Sequence, residues 1–485
     1  MTSMTPPSRP RRGFVALLTA ETVSTAGTRM SQIAVPWLVL TETGSPVKTG
    51  LVGLVEILPF VVFQVLGSPV IDRVGAHRVS VLGNVGAGLA LTAVPVLAAA
   101  DDLGLVPLLV CVFFAGLLRG PADSATAVLL PAVTDRARVS IDRATGALDG
   151  AQRAASLLGA PAGAALVGFI GASRVVALDA ATFAIAAGLV VALVPRAAGN
   201  TRGATGAAAP AESAEGYGSQ LREGFGYLIR HRLLRSIAGM VLFTNLADAA
   251  VSGLLLILWA RQRYASAAPV GLVGAGLGLG AVAGAAVITA IGHWFPRRWT
   301  FAIAFLIAGA PRLLALAFPL PLWTVVTIWT VSGFGAGTIN PLLGAAEYET
   351  IPRRLQARVL SAVGGIAWAG IPFGALLAGL LVDATSLATT LYLAAAIYGL
   401  ATLDPFLRPA WNLMNRPVSD VAAPPTRTHP RRRDKARPDR PRRASGLVQH
   451  SESRTDRIWP TDRCTTRNNF RPRTYWSSRT ETPRE

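Results

Sequence analysis

Lysine is almost missing from this chain: Lys48 and Lys435 are the only two among 485 residues. Cysteine is as scarce, with Cys111 in an apolar stretch and Cys464 near the end. Two such cysteines supply neither a disulfide framework nor a metal site. Charged residues make up only 15% of the chain, too few to cover a soluble enzyme of this length. No Gly-x-x-x-x-Gly-Lys-Ser/Thr loop occurs, which excludes ATP hydrolysis of the P-loop kind. Five histidines form no ligand cluster and no Ser/His/Asp arrangement, and three of them (His231, His429, His450) lie in polar segments. We expect no enzyme, no cofactor and no metal.

Apolar residues fill the space that charge leaves. They reach 51%, the mean hydropathy is +0.44, and they arrive in long blocks such as 15–40, 49–71, 79–100 and 105–133. A bilayer core of about 30 Å needs roughly 20 apolar residues per helix. Backbone polar groups in lipid must be satisfied within the segment, which makes these blocks helices; the short alternation of a membrane barrel is absent from them. The basic start followed by an apolar run resembles a signal peptide. Glu21 and Arg29 interrupt that run and no small-residue cleavage site follows, so it reads as a retained first span.

The pattern predicts an all-α membrane protein of twelve spans in two sets of six. The first set lies near 14–40, 49–71, 79–100, 105–133, 144–170 and 175–195. The second lies near 235–260, 269–292, 299–318, 321–346, 358–382 and 386–407. This divides the chain into an N-terminal segment 1–13, a bundle 14–195, a linker 196–234, a bundle 235–408 and a basic tail 409–485. The linker is Gly/Ala-rich and then turns into a basic amphipathic helix expected over 220–235, lying on the membrane surface. Ahead of residue 416 the segmentation puts 20 arginines on the side of both termini, among them Arg136, Arg138, Arg143, Arg297, Arg298, Arg353, Arg354 and Arg358. The other side receives only Lys48, Arg174, Arg261 and Arg263. That skew places both termini in the cytoplasm.

The two sets echo each other. Pro161, Gly163 and Gly168 in the fifth span, and Pro372, Gly374 and Gly379 in the eleventh, both read P-x-G-x-x-x-x-G, 211 residues apart. Parallel six-span repeats place a ligand site at their interface near the bilayer midplane. Gly159 joins this glycine–proline group, and Gly276, Gly280 and Gly284 recur every four positions in the eighth span. Both stretches read first as close helix packing. Trp37, Trp259, Trp329 and Trp368 line an apolar pocket or, for the first two, anchor the membrane interface.

Residues 67–78 read G-S-P-V-I-D-R-V-G-A-H-R and resemble the signature loop of the major facilitator superfamily, with Asp72, Arg73 and Gly75 in register. Ser68 holds the slot of the leading glycine, and Ala76 replaces a usual basic residue. Further stretches are similar to one branch, the drug and siderophore exporters resembling the enterobactin exporter. They are 24–27 with 34–37, then 178–183, 223–228 and 351–359. The resemblance spans about residues 13–408. It implies an alternating-access exporter driven by the proton gradient, in which Asp72, Arg73, Gly75 and Arg78 form a cytoplasmic gating loop. On physical grounds Asp72 suits the N-terminus of the eleventh helix, where the dipole favours an anion.

Ionisable groups at bilayer depth are costly and mark cavities or partners. The predicted spans hold Glu21, Arg29, Glu56, Arg119, Asp123, Asp149, Arg153, Asp179, Asp248 and Arg312. Arg119 with Asp123, and Asp149 with Arg153, have i,i+4 spacing and share a helix face. Glu21 and Glu56 lack a basic residue at that spacing, so an apolar setting favours their neutral form. Proton coupling is therefore expected of Glu21, Glu56, Asp123 and Asp149, with Arg29, Arg119, Arg153, Asp179, Asp248 and Arg312 as charge partners.

Residues 416–485 carry 18 basic and 8 acidic side chains, +10 of the chain's net +19, with too little apolar surface to fold alone. Arg431, Arg432, Arg433, Lys435 and Arg437 suit anionic lipid headgroups; nucleic-acid binding lacks a domain to position it. The expected partners are a small-molecule substrate, protons and the lipid bilayer of a bacterial inner membrane, and a monomer suffices. Carboxylates in an apolar cavity suit lipophilic or cationic drugs, and the arginines suit anionic siderophores. Uptake by proton symport and a nontransporting sensor stay open.

Overall fold

In a computed structural model that describes residues 11–195 and 217–415, the apolar blocks fold as helices, and no strand occurs among the described residues. The first half runs α1 (Arg12–Thr43), α2 (Pro46–Leu66), α3 (Ser68–Val74), α4 (Ala76–Ala99), α5 (Leu105–Ala137), α6 (Ile141–Ile170) and α7 (Ala172–Leu193). After the linker come α8 (Tyr217–Arg230), α9 (Arg232–Ala250), α10 (Leu256–Tyr264), α11 (Ala268–Ile291), α12 (Arg297–Ala308) and α13 (Ala310–Ala317). They are followed by α14 (Leu322–Thr350), α15 (Gln356–Ala369), α16 (Ile371–Ala384), α17 (Leu387–Thr402) and α18 (Asp404–Leu407). A π turn over Val251–Leu255 joins α9 to α10, and Gly309 (φ −105°, ψ −92°) breaks α12 from α13.

Local chemistry sets the ends. Gly44 stops α1 at φ +67°, and the Ser45 side chain accepts the Lys48 N–H at 3.3 Å to start α2, with Pro46 at its first position. His77 Nε2 lies 3.0 Å from the Val194 carbonyl and 3.3 Å from that of Val190, tying α4 to the last turn of α7.

Eleven helical segments among the described residues are long and apolar enough to cross a bilayer. The twelfth expected span, α1, is long enough at 32 residues, about 48 Å at 1.5 Å per residue. Its Ser, Thr, Glu21 and Arg29 keep it from being as apolar as the rest. Ser24, Gly27, Thr28 and Ser31 are buried, so this polar stripe faces protein.

The P-x-G repeat has a packing counterpart. A Cβ on Gly163 would lie 2.6 Å from Met30 Cα on α1, and one on Gly374 would lie 2.5 Å from the Leu246 carbonyl on α9. Thus α6 seats directly on α1, and α16 on α9. Gly159 continues the contact, 2.8 Å from the Ala26 carbonyl by the same measure, and Gly276, Gly280 and Gly284 do the same for α11 on α14.

The halves meet along α2 with α16 and α6 with α11. A Cβ on Gly379 would fall 2.6 Å from the Pro46 carbonyl, and one on Gly271 would fall 3.1 Å from that of Pro161. Arg261 donates to the Leu40 carbonyl. These contacts lie toward the end of the bundle where α1 finishes and α2 begins. At the opposite end Asp72, Arg73 and Arg78 are exposed.

Two boundaries differ from the sequence expectation. The helix expected over 220–235 is broken at His231, whose extended backbone ends α8 at Arg230 and lets Nδ1 accept the Leu234 N–H at 3.4 Å as the cap of α9. Residues 232–235 therefore belong to the first helix of the second half. The α8 helix lies against α15 and α9, with Glu223 paired to Arg358 and Tyr227 Oη donating to the Thr350 carbonyl at 3.4 Å. The tail expected from 409 begins later, because Pro409–Asn415 fold back as a 3-10 turn that buries Trp411 and Met414. The remainder of the expected linker, 196–216, and the tail 416–485 lie outside the described residues.

The His231 cap makes a pH prediction. Burial pushes the His231 imidazole below its ordinary range and the Tyr227 phenol above its own; the two rings stack 5.8 Å apart. The folded state then binds the His231 proton less readily than the unfolded state, so this contribution to stability rises with pH. It is present above the unfolded value of about 6.5 and is lost as pH falls from there through the lower folded value. Hydrogen exchange followed by mass spectrometry is expected to show the amides of 232–234 losing protection on acidification. A His231→Gln protein should show no such pH dependence; equal loss in both proteins would refute the cap.

Candidate functional site

Arg119 is the centre of a charged group inside the first half. Its Nε lies 3.4 Å from Asp123 Oδ2, one turn further along α5. Its guanidinium sits over the Phe60 ring of α2, 5.0 Å from the centroid. That stacking needs α2 and α5 to touch. A Cβ on Gly120 would come within 2.6 Å of the Phe60 carbonyl, and Ser124 Oγ donates to the Gln64 carbonyl at 3.1 Å.

The same guanidinium attracts Glu21 of α1, Glu56 of α2 and Asp179 of α7. Asp179 is 1% exposed and accepts from Thr182 Oγ1 at 3.1 Å. It reaches α1 because Gly27 has no side chain; a Cβ there would strike Asp179 and Thr182. Glu21 Oε1 accepts from Gln152 Nε2 of α6 at 2.8 Å. Arg29 is near enough to repel Arg119. It is held by Ser156 Oγ at 3.1 Å and Gln32 Oε1 at 2.9 Å.

Four helices, α1, α2, α5 and α7, therefore supply four carboxylates and two guanidiniums, and α6 adds the neutral partners Gln152 and Ser156. Fully ionised, the group carries a net charge of −2 in a region where charges are poorly screened. That excess of negative charge favours a proton or a cation over an anion as the group's ligand.

The structure brings together Glu21, Glu56, Arg119, Asp123, Asp179 and Arg29 from the residues expected at bilayer depth. It sets Asp149 and Arg153 apart: they pair with each other at 2.8 Å, with side chains 62% and 68% exposed. Their i,i+4 spacing creates that pair on one face of α6. Asp248 and Arg312 form a separate ion pair between α9 and α13. Asp72 is exposed on α3, which packs on α2, α4 and α5 of its own half rather than at the start of α15. Gly163 and Gly374 lie at the close helix contacts described above, and the Pro161 carbonyl lies at the contact with Gly271. Trp259 and Trp329 are buried in the core of the second half, and Trp368 is exposed.

Gln152 and Ser156 were not singled out from sequence. Both are neutral polar residues on α6, Gln152 three residues from Asp149 and Ser156 three from Arg153, a spacing on one helix face that could have drawn notice.

Comparison with known proteins places this geometry. The Major Facilitator Superfamily profile matches residues 17–252 and again 237–449. The multidrug efflux pump Tap of Mycobacterium tuberculosis is 29% identical over 393 residues, covering 79% of this chain and 89% of that protein. The pump of the same name from Mycolicibacterium fortuitum is 27% identical over 393 residues, covering 78% and 92%. Among solved structures, the nucleoside transporter NupG superposes with a TM-score of 0.61 at 13% identity, over 81% of this chain and 99% of that one. A bacterial homologue of the human lysosomal transporter Spinster, in an inward-facing and unoccupied conformation, gives 0.60 at 15% identity, over 84% and 100%. At these identities the two structures speak to the fold alone.

Proposed function

The chain belongs to the major facilitator superfamily, a family of transporters rather than enzymes, and from that premise we propose that it exports small drug-like molecules in exchange for protons. The observation that carries the proton coupling is the Arg119 group, in which Glu21, Glu56, Asp123 and Asp179 outnumber the guanidiniums. The names of the Tap relatives support multidrug export as the direction and breadth of transport.

In this reading α1 is the twelfth span, both termini are cytoplasmic, and the protein works as a monomer in the inner membrane. The contacts of α2 with α16 and of Arg261 with Leu40 then close the outer side, and the central site is open to the cytoplasm. Cargo enters from within and displaces protons from the Arg119 group. Rocking of one half against the other carries Asp72 toward the start of α15 and opens the outer side. Protonation from outside resets the cycle.

Inverted vesicles containing the protein test this. Adding a transported antibiotic or dye is expected to release protons, and Glu56→Gln is expected to abolish that release while the protein still inserts and folds. Unchanged proton release in Glu56→Gln would remove Glu56 from the coupling. Substrate accumulation in right-side-out vesicles instead would replace export with uptake.

A further inference from the structure

Where the linker enters the second half, the chain carries a cationic surface that neither the packing nor the proton exchange uses. Gly224 and Leu228 turn α8 inward: a Cβ on Gly224 would lie 2.5 Å from the Arg358 carbonyl, and Leu228 is 1% exposed. At about 3.6 residues per turn, Arg222, Gly226, Ile229 and Arg230 fall on the opposite side of the helix, within about 100° of one another. Arg222 and Arg230 are exposed there, and Ile229 is 57% exposed beside them. Glu223, the only acid of α8, is taken by Arg358. The outward face of α8 is left with positive charge and an apolar side chain.

The elbow at His231 brings further cations to the same place. Arg235 of α9 folds back so that its Nη1 donates to the Ile229 carbonyl at 3.3 Å, and Arg232 and Arg235 are both exposed. They sit in the first turn of α9, which holds no acidic residue and where the helix dipole opposes a cation. Among the described residues, no ion pair engages Arg222, Arg230, Arg232 or Arg235. Three arginines thus flank the exposed Ile229, with Arg222 two turns back on the same face, and local stability does not account for them.

The position of the cluster says what meets it. Arg232 opens the apolar helical span Arg232–Tyr264, so the cluster lies at one edge of the bilayer, at the depth of the headgroups. Residues 416–485 net +10 and are repelled by it, as is the same face of a second copy. A lipid surface suits both of its components. Guanidiniums give charge-assisted, forked hydrogen bonds to a phosphodiester, and Ile229 enters the interfacial layer.

We propose that Ile229, Arg230, Arg232 and Arg235, with Arg222, form a docking surface for anionic phospholipid headgroups. Zwitterionic lipid is held less strongly there, because its ammonium meets the same arginines. The inference needs the chain to lie in a membrane and is independent of the direction, cargo and coupling of transport.

A fluorescent label on Gly226→Cys, in the full chain with Cys111→Ala and Cys464→Ser, reports on this face; a Cβ at Gly226 meets nothing within 4 Å. The labelled protein is placed in phosphatidylcholine vesicles that contain doxyl-labelled phosphatidylglycerol or doxyl-labelled phosphatidylcholine at equal mole fraction. Phosphatidylglycerol is expected to quench at least about fivefold more effectively, the weight of one arginine near an anionic surface. Arg230→Gln with Arg232→Gln spares the Arg235 contact and is expected to bring the two lipids to nearly equal quenching at an unchanged thermal midpoint. Arg230→Lys with Arg232→Lys is expected to keep most of the preference. If the glutamine pair lowers the midpoint, high salt on the wild type replaces it and is expected to erase the preference. Equal quenching by both lipids in the wild type, or by neither, would overturn the proposal. So would a preference that survives the glutamine pair or high salt, and one that millimolar glycerol phosphate abolishes would assign the surface to a soluble anion instead.

Discussion

Arg119→Gln is expected to abolish export and to lower stability, because it removes the counter-charge of a half-buried carboxylate. The reason lies in the numbers of charges. Arg119 faces Asp123 at 3.4 Å and also attracts Glu21, Glu56 and Asp179. Without it, Arg29 is the remaining cation among four carboxylates, and it is turned toward Ser156 and Gln32. The carboxylates would then hold their protons and could not exchange them with cargo. Arg119→Lys keeps the charge but loses the planar stacking on Phe60 and the forked donor geometry; we expect it to fold, with export reduced rather than absent. Thermal unfolding in detergent and dye export from inverted vesicles measure the two effects. An Arg119→Gln protein that exports normally would show that the group is structural.

Trp411→Ala is expected to cost about 3–5 kcal/mol for emptying a large buried aromatic site. Trp411 is 0% exposed, lies with its ring centroid 5.4 Å from that of Phe301 in a tilted contact, and donates Nε1–H to Asp404 Oδ2 at 2.8 Å. Arg298 closes the same clasp. Its Nε donates to the Pro405 carbonyl at 2.9 Å, its Nη2 to the Phe406 carbonyl at 3.1 Å, and its Nη1 to Asn412. The clasp ties the chain after α18 back onto α12 and α9. A lowered thermal midpoint for Trp411→Ala, with a smaller drop for Trp411→Phe, is the expected result. Loss of export without loss of stability would point to another role for the turn.

The helical fold and the repeat were legible because their signals are local. The apolar blocks at 49–71 and 105–133 mark spans by length alone, and the P-x-G pattern marks α6 and α16, which pack on α1 and α9. The His231 break was not legible, since 220–235 keeps its basic amphipathic pattern through the residue at which the backbone turns. The Trp411 clasp was missed because the Pro- and Arg-rich composition around it resembles the tail that follows. In the candidate site, the Arg119–Asp123 pair was readable from i,i+4 spacing, and Glu56 from the lack of such a partner. The same spacing drew in Asp149 and Arg153, which form their own exposed pair. Spacing reports which residues share a face and is silent on where that face points.

By itself, then, the sequence determined a multi-span helical protein with the superfamily's repeat and a sparse set of intramembrane charges, because hydropathy and charge act along a few turns of chain. Only the tertiary structure decided which charges share a site. Gln152 reaches Glu21 across 131 residues and Arg312 reaches Asp248 across 64. Those encounters depend on glycine contacts that bring α1 to α6 and α7, and on the break that turns α13 against α17. Helix packing sets such distances, and no spacing along the chain encodes them.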